Sequence, residues 1–333
     1  MAKPKVVIPK PFYDRYKKVQ MLLEPVAEVE FSAMGFGGGD MAKFKDQIAT
    51  AEAIFGGGIN EEILTAAPML KVVANYGVGY DSNDVAAMTR HKVYLTNTPG
   101  VLSDAVADLT VALMLAVNRK MIEAHNYVQE GGWGRRSPGG PQYTSDMRGK
   151  TVGIIGLGRI GYETGKRCVK GFDMNLIYYD LYRNKKAEDE LGAKQKPLEE
   201  VLKESDYVVV HTDLNQNTRK LIGDKQLRIM KKTAFIVNTA RGPIIDQAAL
   251  ANALNEGVIA GAGLDVFEIE PCPPNDPILK AKNTVLAPHM ASATEEAREG
   301  MAVCNAENVV AVLKGQIPPP NAVPEQRGMI FRR

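Results

Sequence analysis

Thr151-Val152-Gly153-Ile154-Ile155-Gly156-Leu157-Gly158-Arg159-Ile160-Gly161 is the stretch that decides how this chain reads. Residues 151–155 suit a buried strand. The glycines that follow have the spacing G-x-G-x-x-G and open an amphipathic segment. The first glycine permits a tight turn. The second lets a pyrophosphate approach the backbone. The third allows helix and strand to pack closely, with phosphates at the helix N-terminus. A second strand is expected at 175–179, and Asp180 ends it, 19 residues beyond Gly161. An acid there accepts from the ribose hydroxyls of an adenosine. Strand, glycines, helix, strand and acid in this order imply a dinucleotide-binding unit. A carboxylate at 180 repels a 2′-phosphate, which favours NAD over NADP; the nearby Arg183 pulls the other way.

Outward from this motif, short apolar runs alternate with amphipathic stretches, the pattern of an α/β protein with parallel sheets. Strands are expected at 5–8, 27–31, 53–55, 71–75 and 93–96 on the N-terminal side, and at 206–211, 234–238, 260–264 and 284–287 beyond the motif. Helices fit between them, for example at 197–204 and 247–255. The glycine clusters at 35–39 and 56–58 lack phosphate-loop spacing and read as flexible turns. From Ser103, a capping residue, a helix is expected to run to about Gln129, ended by Gly131-Gly132. Its stretch 105–117 is apolar almost all round, so it must be buried at a domain junction or a subunit contact. Gly139-Gly140-Pro141 punctuates a loop holding the only tryptophan, Trp133. The proline-rich tail from Ile317 cannot stay helical and is expected to leave the last helix as an extended strap.

Composition narrows the function classes. A length of 333 residues suggests two domains, and 45% apolar residues make a globular protein. Forty-one basic side chains against 39 acidic ones leave a formal charge of +2, which speaks against nucleic acid or an anionic membrane as the main partner. Cys168, Cys272 and Cys304 are too few and too scattered for a disulfide framework or a zinc site, and no metal is expected. The N-terminal apolar run is too short for a signal peptide, and the greasiest stretch is broken by Asp108. The expectation is a cytoplasmic protein with reduced thiols.

In an open parallel sheet, ligands sit beyond the carboxyl ends of the strands. The expected strands deliver His211 and Thr212; Thr239, Ala240, Arg241 and Gly242; Asp265, with Glu268 and Glu270 beyond; and His289 after Pro288. An arginine, acids and two histidines thus converge beside the glycine turn. Moving a hydride at an oxygen-bearing carbon also requires moving a proton, which suits histidine. His91 and His125 read as exposed or structural residues. His211 could line the cofactor site but has no acid partner in sequence. His289 has Glu270 nineteen residues before it, and a carboxylate partner fixes an imidazole and favours its charged form. Arg241 offers a fork for a substrate carboxylate, or a structural ion pair.

These residues resemble a known family. The stretches 156–161, Asn238-Thr239-Ala240-Arg241-Gly242, Gly263-Leu264-Asp265-Val266-Phe267-Glu268 and Pro288-His289-Met290-Ala291-Ser292 are similar to motifs of the D-isomer-specific 2-hydroxyacid dehydrogenases, as is the run from Asn97 to Asp108. The likeness extends over about residues 5–320, and Asn75-Tyr76-Gly77-Val78-Gly79-Tyr80-Asp81 looks most like the glyoxylate or hydroxypyruvate reductases among them. Asp213 stands where a proline is common, and Met290-Ala291 replaces Ile-Gly.

The resemblance implies two doubly wound parallel-sheet domains. A Rossmann nucleotide domain, 101–289, would be inserted in a flavodoxin-like substrate domain, 1–100 plus 290–333, with the site in the cleft between them. It implies that Arg241 binds the substrate carboxylate together with the amides of Val78 and Gly79. His289 would be the acid/base, held by Glu270. Gly156, Gly158, Arg159, Ile160 and Gly161 would contact the pyrophosphate and Asp180 the ribose, while Thr212, Thr239, Ala240, Arg241, Asp265, His289 and Ser292 would line the rest. The substrate would be a small 2-keto or 2-hydroxy acid, and the protein a homodimer joined through the helix after Ser103. Alternatives are an NAD(H)-sensing, corepressor-like binding module and, within the class, a phosphoglycerate- or D-lactate-type dehydrogenase. Formate dehydrogenases pair the histidine with Gln, and Glu270 argues against them.

Overall fold

The computed structural model describes residues 2–35, 38–133 and 144–331. The chain divides into two compact units, one made of residues 1–102 with 294–333 and the other of 103–293.

The first unit carries β1 (Lys5–Ile8), β2 (Glu28–Phe31), β3 (Met34–Gly35), β4 (Gly38–Gly39), β5 (Ala51–Phe55), β6 (Val72–Ala74) and β7 (Tyr94–Thr96). Five of them form one parallel sheet in the order β2-β1-β5-β6-β7. Successive side chains of a strand face opposite ways. Val6, Ile8, Phe55, Val72 and Tyr94 therefore enter one core and Val7, Ile54, Val73 and Leu95 the other. The long helix Glu295–Leu313 covers the first of these faces with Ala302, Ala306, Val309 and Val312. The cluster at 35–39 is not a simple turn. Met34 and Gly39, and Gly35 and Gly38, pair as a minimal antiparallel hairpin, while Phe36 and Gly37 lie outside the described residues.

The tail does form a strap. Ala322 bridges Thr96 in antiparallel fashion, and Val323 N–H donates to Leu95 O at 3.0 Å. Gln326, fully buried, completes the edge of β7. Its Oε1 accepts from Leu95 N at 2.8 Å, and its Nε2 donates to Val93 O at 3.0 Å and Thr89 Oγ1 at 3.1 Å. An unpaired buried amide or carbonyl costs ~1–3 kcal/mol. Gln326→Ala strips partners from two such backbone groups, so it should destabilise the fold by about 3 kcal/mol and lower Tm by several degrees. An unchanged thermal midpoint would remove the strap from the account of stability.

The second unit carries β8 (Thr151–Ile155), β9 (Asn175–Tyr179), β10 (Lys194–Gln195), β11 (Tyr207–Val210), β12 (Phe235–Asn238), β13 (Gly261–Leu264) and β14 (Thr284–Leu286). All seven are parallel, in the order β10-β9-β8-β11-β12-β13-β14. Winding reverses between β8 and β11, so the glycine turn after β8 opens at the point where a crevice forms beyond the strand ends. Val208, Val209 and Val210 are all completely buried, as a strand covered on both faces requires. The α/β class with parallel sheets read from the alternation is thus observed, as is the doubly wound form that the resemblance implied. β10 went unread because two polar residues carry no period.

The stretch from Ser103 is two helices, not one: Ser103–Asn118 and Met121–Gln129. Lys120 adopts a left-handed conformation with φ +51°, and Asn118 turns its side chain to Ser145, donating to Ser145 O at 2.8 Å. Ser103 is the first helical residue rather than a cap. Its buried hydroxyl has no partner among the described residues. The apolar helix Ser103–Asn118 packs against helix Arg159–Phe172 and against β12 and β13 inside its own unit. Among the described residues, no helix is long and apolar enough to cross a membrane.

Candidate functional site

The glycine turn is built as its spacing demands. Gly156 has φ +92°, and a Cβ there would lie 2.5 Å from Thr212 N. A Cβ on Gly161 would lie 2.4 Å from Gly156 O. Gly158 differs, since nothing lies within 4 Å of the Cβ it lacks. The glycine that should face a pyrophosphate therefore faces open space, at the N-terminus of helix Arg159–Phe172. Asp180 curls back over the turn. Its Oδ2 accepts from Leu157 N at 2.8 Å and its Oδ1 from Tyr182 N at 3.0 Å. Arg183 turns to Glu188, with Nε 2.7 Å from Oε2, so its charge is already paired. These residues fit a dinucleotide.

The geometry separates two kinds of glycine variant. Gly158→Val places its Cβ where no atom lies within 4 Å and fills the approach to the helix N-terminus. It should keep Tm and weaken NADH binding at least tenfold, about 1.4 kcal/mol. Unaltered affinity by fluorescence titration would put the phosphates elsewhere.

The strand ends bring three groups together. β12 ends in Asn238, whose Oδ1 accepts from Ala240 N at 3.0 Å and whose Nδ2 donates to Arg241 O at 2.9 Å, stapling the turn that carries Arg241. A Cβ on Gly242 would lie 1.9 Å from the Phe267 carbonyl, so only glycine lets this turn lie against the segment leading to Glu270. Thr239 is buried, and its Oγ1 lies 2.8 Å from Thr110 Oγ1. Glu270 Oε1 accepts from Phe267 N at 2.9 Å, and Glu270 Oε2 lies 2.6 Å from His289 Nδ1. Burial alone would raise the Glu270 pKa. The hydrogen bonds from His289 and Phe267 and the positive charges of His289 and Arg241 outweigh it and hold the carboxyl below its usual range.

His289 sits at φ +53°, unusual for a residue with a side chain. Asp265 holds it there. The Asp265 carbonyl accepts from His289 N at 2.8 Å, and its two carboxylate oxygens accept from Met290 N and Ala291 N, each at 2.8 Å. Burial keeps the Asp265 carboxyl above its usual range even against those two amides. With Nδ1 on Glu270, the half-exposed ring has Nε2 for proton exchange. Ser292 follows, partly buried.

The other histidines separate cleanly. His211 is no acid/base: its Nε2 lies 2.9 Å from Thr164 Oγ1, and burial pushes its pKa down to about 3, so it stays neutral. His91 pairs with Glu61 at 2.6 Å, and His125 is exposed on helix Met121–Gln129. Asn238 and Gly242 were quoted in the sequence motif without a task. A polar residue at a strand end and a glycine straight after an arginine were the available signals.

A model of the NAD-binding domain of D-isomer-specific 2-hydroxyacid dehydrogenases matches residues 111–291. The chain belongs to that family. This dehydrogenase is an NAD(P)-dependent oxidoreductase interconverting a 2-keto acid and a 2-hydroxy acid. It is 51% identical over 261 residues to a glyoxylate reductase of Korarchaeum cryptofilum, covering 78% of each chain. Its fold is similar to that of a glyoxylate reductase from Paecilomyes thermophila, with TM-score 0.87, 29% identity and coverage of 98% and 100% of the two chains. It is also similar to an NADPH-dependent glyoxylate/hydroxypyruvate reductase from Sinorhizobium meliloti crystallised with NADP and malonate, with TM-score 0.85, 30% identity and coverage of 100% and 99%.

In the other unit of the dehydrogenase, Val78 and Gly79 lie on the loop that follows β6, partly buried and exposed respectively. Tyr76, on the same loop, packs its ring on Phe12 and donates from its hydroxyl to Arg298 O at 3.0 Å. Trp133 is highly exposed, and the loop beyond it to Pro141 lies outside the described residues.

Proposed function

We propose that the chain reduces glyoxylate to glycolate, or hydroxypyruvate to its D-2-hydroxy acid, with NADH preferred over NADPH. The observation that carries this reading is the pair formed by His289 and Glu270 at 2.6 Å, within the field of Arg241, at the carboxyl ends of the same parallel sheet whose β8 leads into the glycine turn. The glyoxylate reductase relatives at about half identity support the substrate. Asp180 at the turn, with Arg183 held by Glu188, supports NADH.

On this reading residues 103–293 bind the dinucleotide, and residues 1–102 with 294–333 supply the Val78 and Gly79 amides. Arg241 and these amides hold the substrate carboxylate. A dinucleotide held there would supply the hydride that C2 receives. His289 gives its proton to the oxygen on C2, and Glu270 stabilises the imidazolium before transfer. Arg159 and Ile160 meet the pyrophosphate. Thr212, Thr239, Ala240, Asp265 and Ser292 frame the remainder of the cofactor, Thr239 and Asp265 through the backbone they position. The test is a panel of 2-keto acids followed at the NADH absorbance, repeated with NADPH. Fastest turnover of glyoxylate or hydroxypyruvate with NADH is expected. NADH bound but oxidised by none of the panel would overturn the assignment.

A homodimer and a cytoplasmic location belong to the same proposal. The helix Ser103–Asn118 already finds its burial inside its unit, so the argument for a partner moves to Met121, Ile122, Val128 and Trp133, each at least 48% exposed. A single monomer boundary in sedimentation at micromolar concentration would count against the dimer. The three unpaired cysteines suit a reducing compartment.

A further inference from the structure

Loop 75–81 has an unusual distribution of hydrogen bonds. The carbonyls of Asn75, Gly77, Val78, Gly79 and Tyr80 are held, the last by Asn83 N at 3.0 Å. Asn75 O accepts from Gly77 N at 3.0 Å, and Gly77 O from Thr98 N at 3.1 Å and Asn75 Nδ2 at 3.1 Å. Val78 O accepts from Asn97 Nδ2 at 2.9 Å, and Gly79 O from Asn75 Nδ2 at 3.0 Å. The amides of Val78 and Gly79 have no acceptor among the described residues. Two consecutive donors left open, between carbonyls at 77, 78 and 79 that are each held, make a recess for an anion.

Peptide planarity explains how the recess is aimed. In a trans peptide, C=O and N–H point in opposite directions. Holding Gly77 O turns the Val78 N–H away from Asn75. Holding Val78 O turns the Gly79 N–H away from Asn97. The holders are themselves fixed. Asn75 is buried, and its Oδ1 accepts from Asn83 Nδ2 at 3.2 Å, while Asn83 Oδ1 accepts from Ile59 N at 3.2 Å. Asn97 donates its own amide to Asn321 O of the strap at 3.2 Å, and its carbonyl accepts from Asn308 Nδ2 at 3.5 Å.

We propose that Asn97, supported by Asn75, is a positioning residue for substrate: by holding the Val78 carbonyl it aims the Gly79 amide at the substrate carboxylate. This rests on the reading of Val78 and Gly79 given above. Without the Asn97 donor, the peptide between Val78 and Gly79 is free to rotate and turn its carbonyl toward the carboxylate. Asn97→Asp has the same shape but no donor.

The experiment measures KM and kcat for glyoxylate, NADH affinity and Tm in Asn97→Ala and Asn97→Asp. Gly79→Pro, which deletes the Gly79 N–H itself, is measured beside them, with Val78→Pro in its place if that variant does not fold. Charge-assisted hydrogen bonds set the scale, so KM should rise about tenfold or more in both Asn97 variants while kcat stays within about threefold. NADH affinity and Tm should hold, and methyl glyoxylate, which has no charged carboxylate, should lose much less than glyoxylate. An unchanged KM in the Asn97 variants with a raised KM in the proline variant overturns the role of Asn97 alone. Unchanged KM in all of them overturns the amide reading and this inference with it. A parallel loss of Tm, NADH affinity and kcat would mark Asn97 as a merely structural residue.

Discussion

His289→Ala is expected to lower kcat for keto-acid reduction by roughly 10²–10⁴-fold, the range for losing a positioned acid or base. NADH affinity should change little, because the glycine turn proposed to meet the phosphates is untouched. The effect belongs to chemistry rather than folding: the ring is half exposed, and the turn beneath it is held by Asp265 through backbone amides that alanine keeps. The pH profile adds a second reading. On the proposed mechanism His289 gives its proton while paired with Glu270, so the profile reports the state of that carboxylate. On the acid side, Glu270 has a pKa below its usual range, so its carboxylate is present throughout neutral pH. Its contribution is complete above the ordinary carboxylate range and disappears as pH falls through the lowered value. Glu270→Gln removes that charge and should abolish the acid limb of the profile. Turnover by His289→Ala equal to wild type would remove His289 from the mechanism.

Where the chain was legible, the signal was local and periodic. Residues 151–161 with Asp180 read correctly as strand, turn, helix and strand, because each glycine answers a steric demand within a few residues of itself. The all-valine run at β11 could be nothing but a buried strand. The nearness of Glu270 to His289 followed from strand order, since β13 and β14 are neighbours and both segments leave their carboxyl ends. What stayed hidden depended on contacts remote in sequence. The break at Lys120 comes with a left-handed residue and with Asn118 reaching to Ser145, while hydrophobic periodicity simply continues across it. The need of helix Ser103–Asn118 for burial was plain, but its partners were helix Arg159–Phe172 and strands of its own unit. His211 has no acid partner in sequence, and the hydroxyl that meets its ring belongs to Thr164, 47 residues earlier. Asn97 gave no hint at all, because its task is to hold a carbonyl 19 residues before it.

Arg241 permits a sharper experiment, because charge and shape can be separated. In the fold, Nη1 donates to Ala240 O at 2.8 Å, which fixes the guanidinium relative to its own turn, and Gly242 lets that turn lie against Phe267. The positive charge helps to lower the Glu270 pKa. Lysine keeps the charge and loses the planar fork. Arg241→Lys should therefore raise KM for the keto acid by roughly 10–100-fold, the loss of a bidentate charge-assisted pair, and leave the pH profile nearly in place. Arg241→Ala removes the fork and the charge together. Its KM should rise at least as far, and the Glu270 pKa should move up toward the ordinary range, carrying the acid limb of the profile with it. The two variants thus give different pH curves if Arg241 serves both the carboxylate and Glu270. If it serves only as a structural ion pair, both lose Tm without a selective rise in KM. A KM within twofold of wild type in Arg241→Lys would contradict the carboxylate anchor, and the substrate grip would then fall to the amides of Val78 and Gly79 alone.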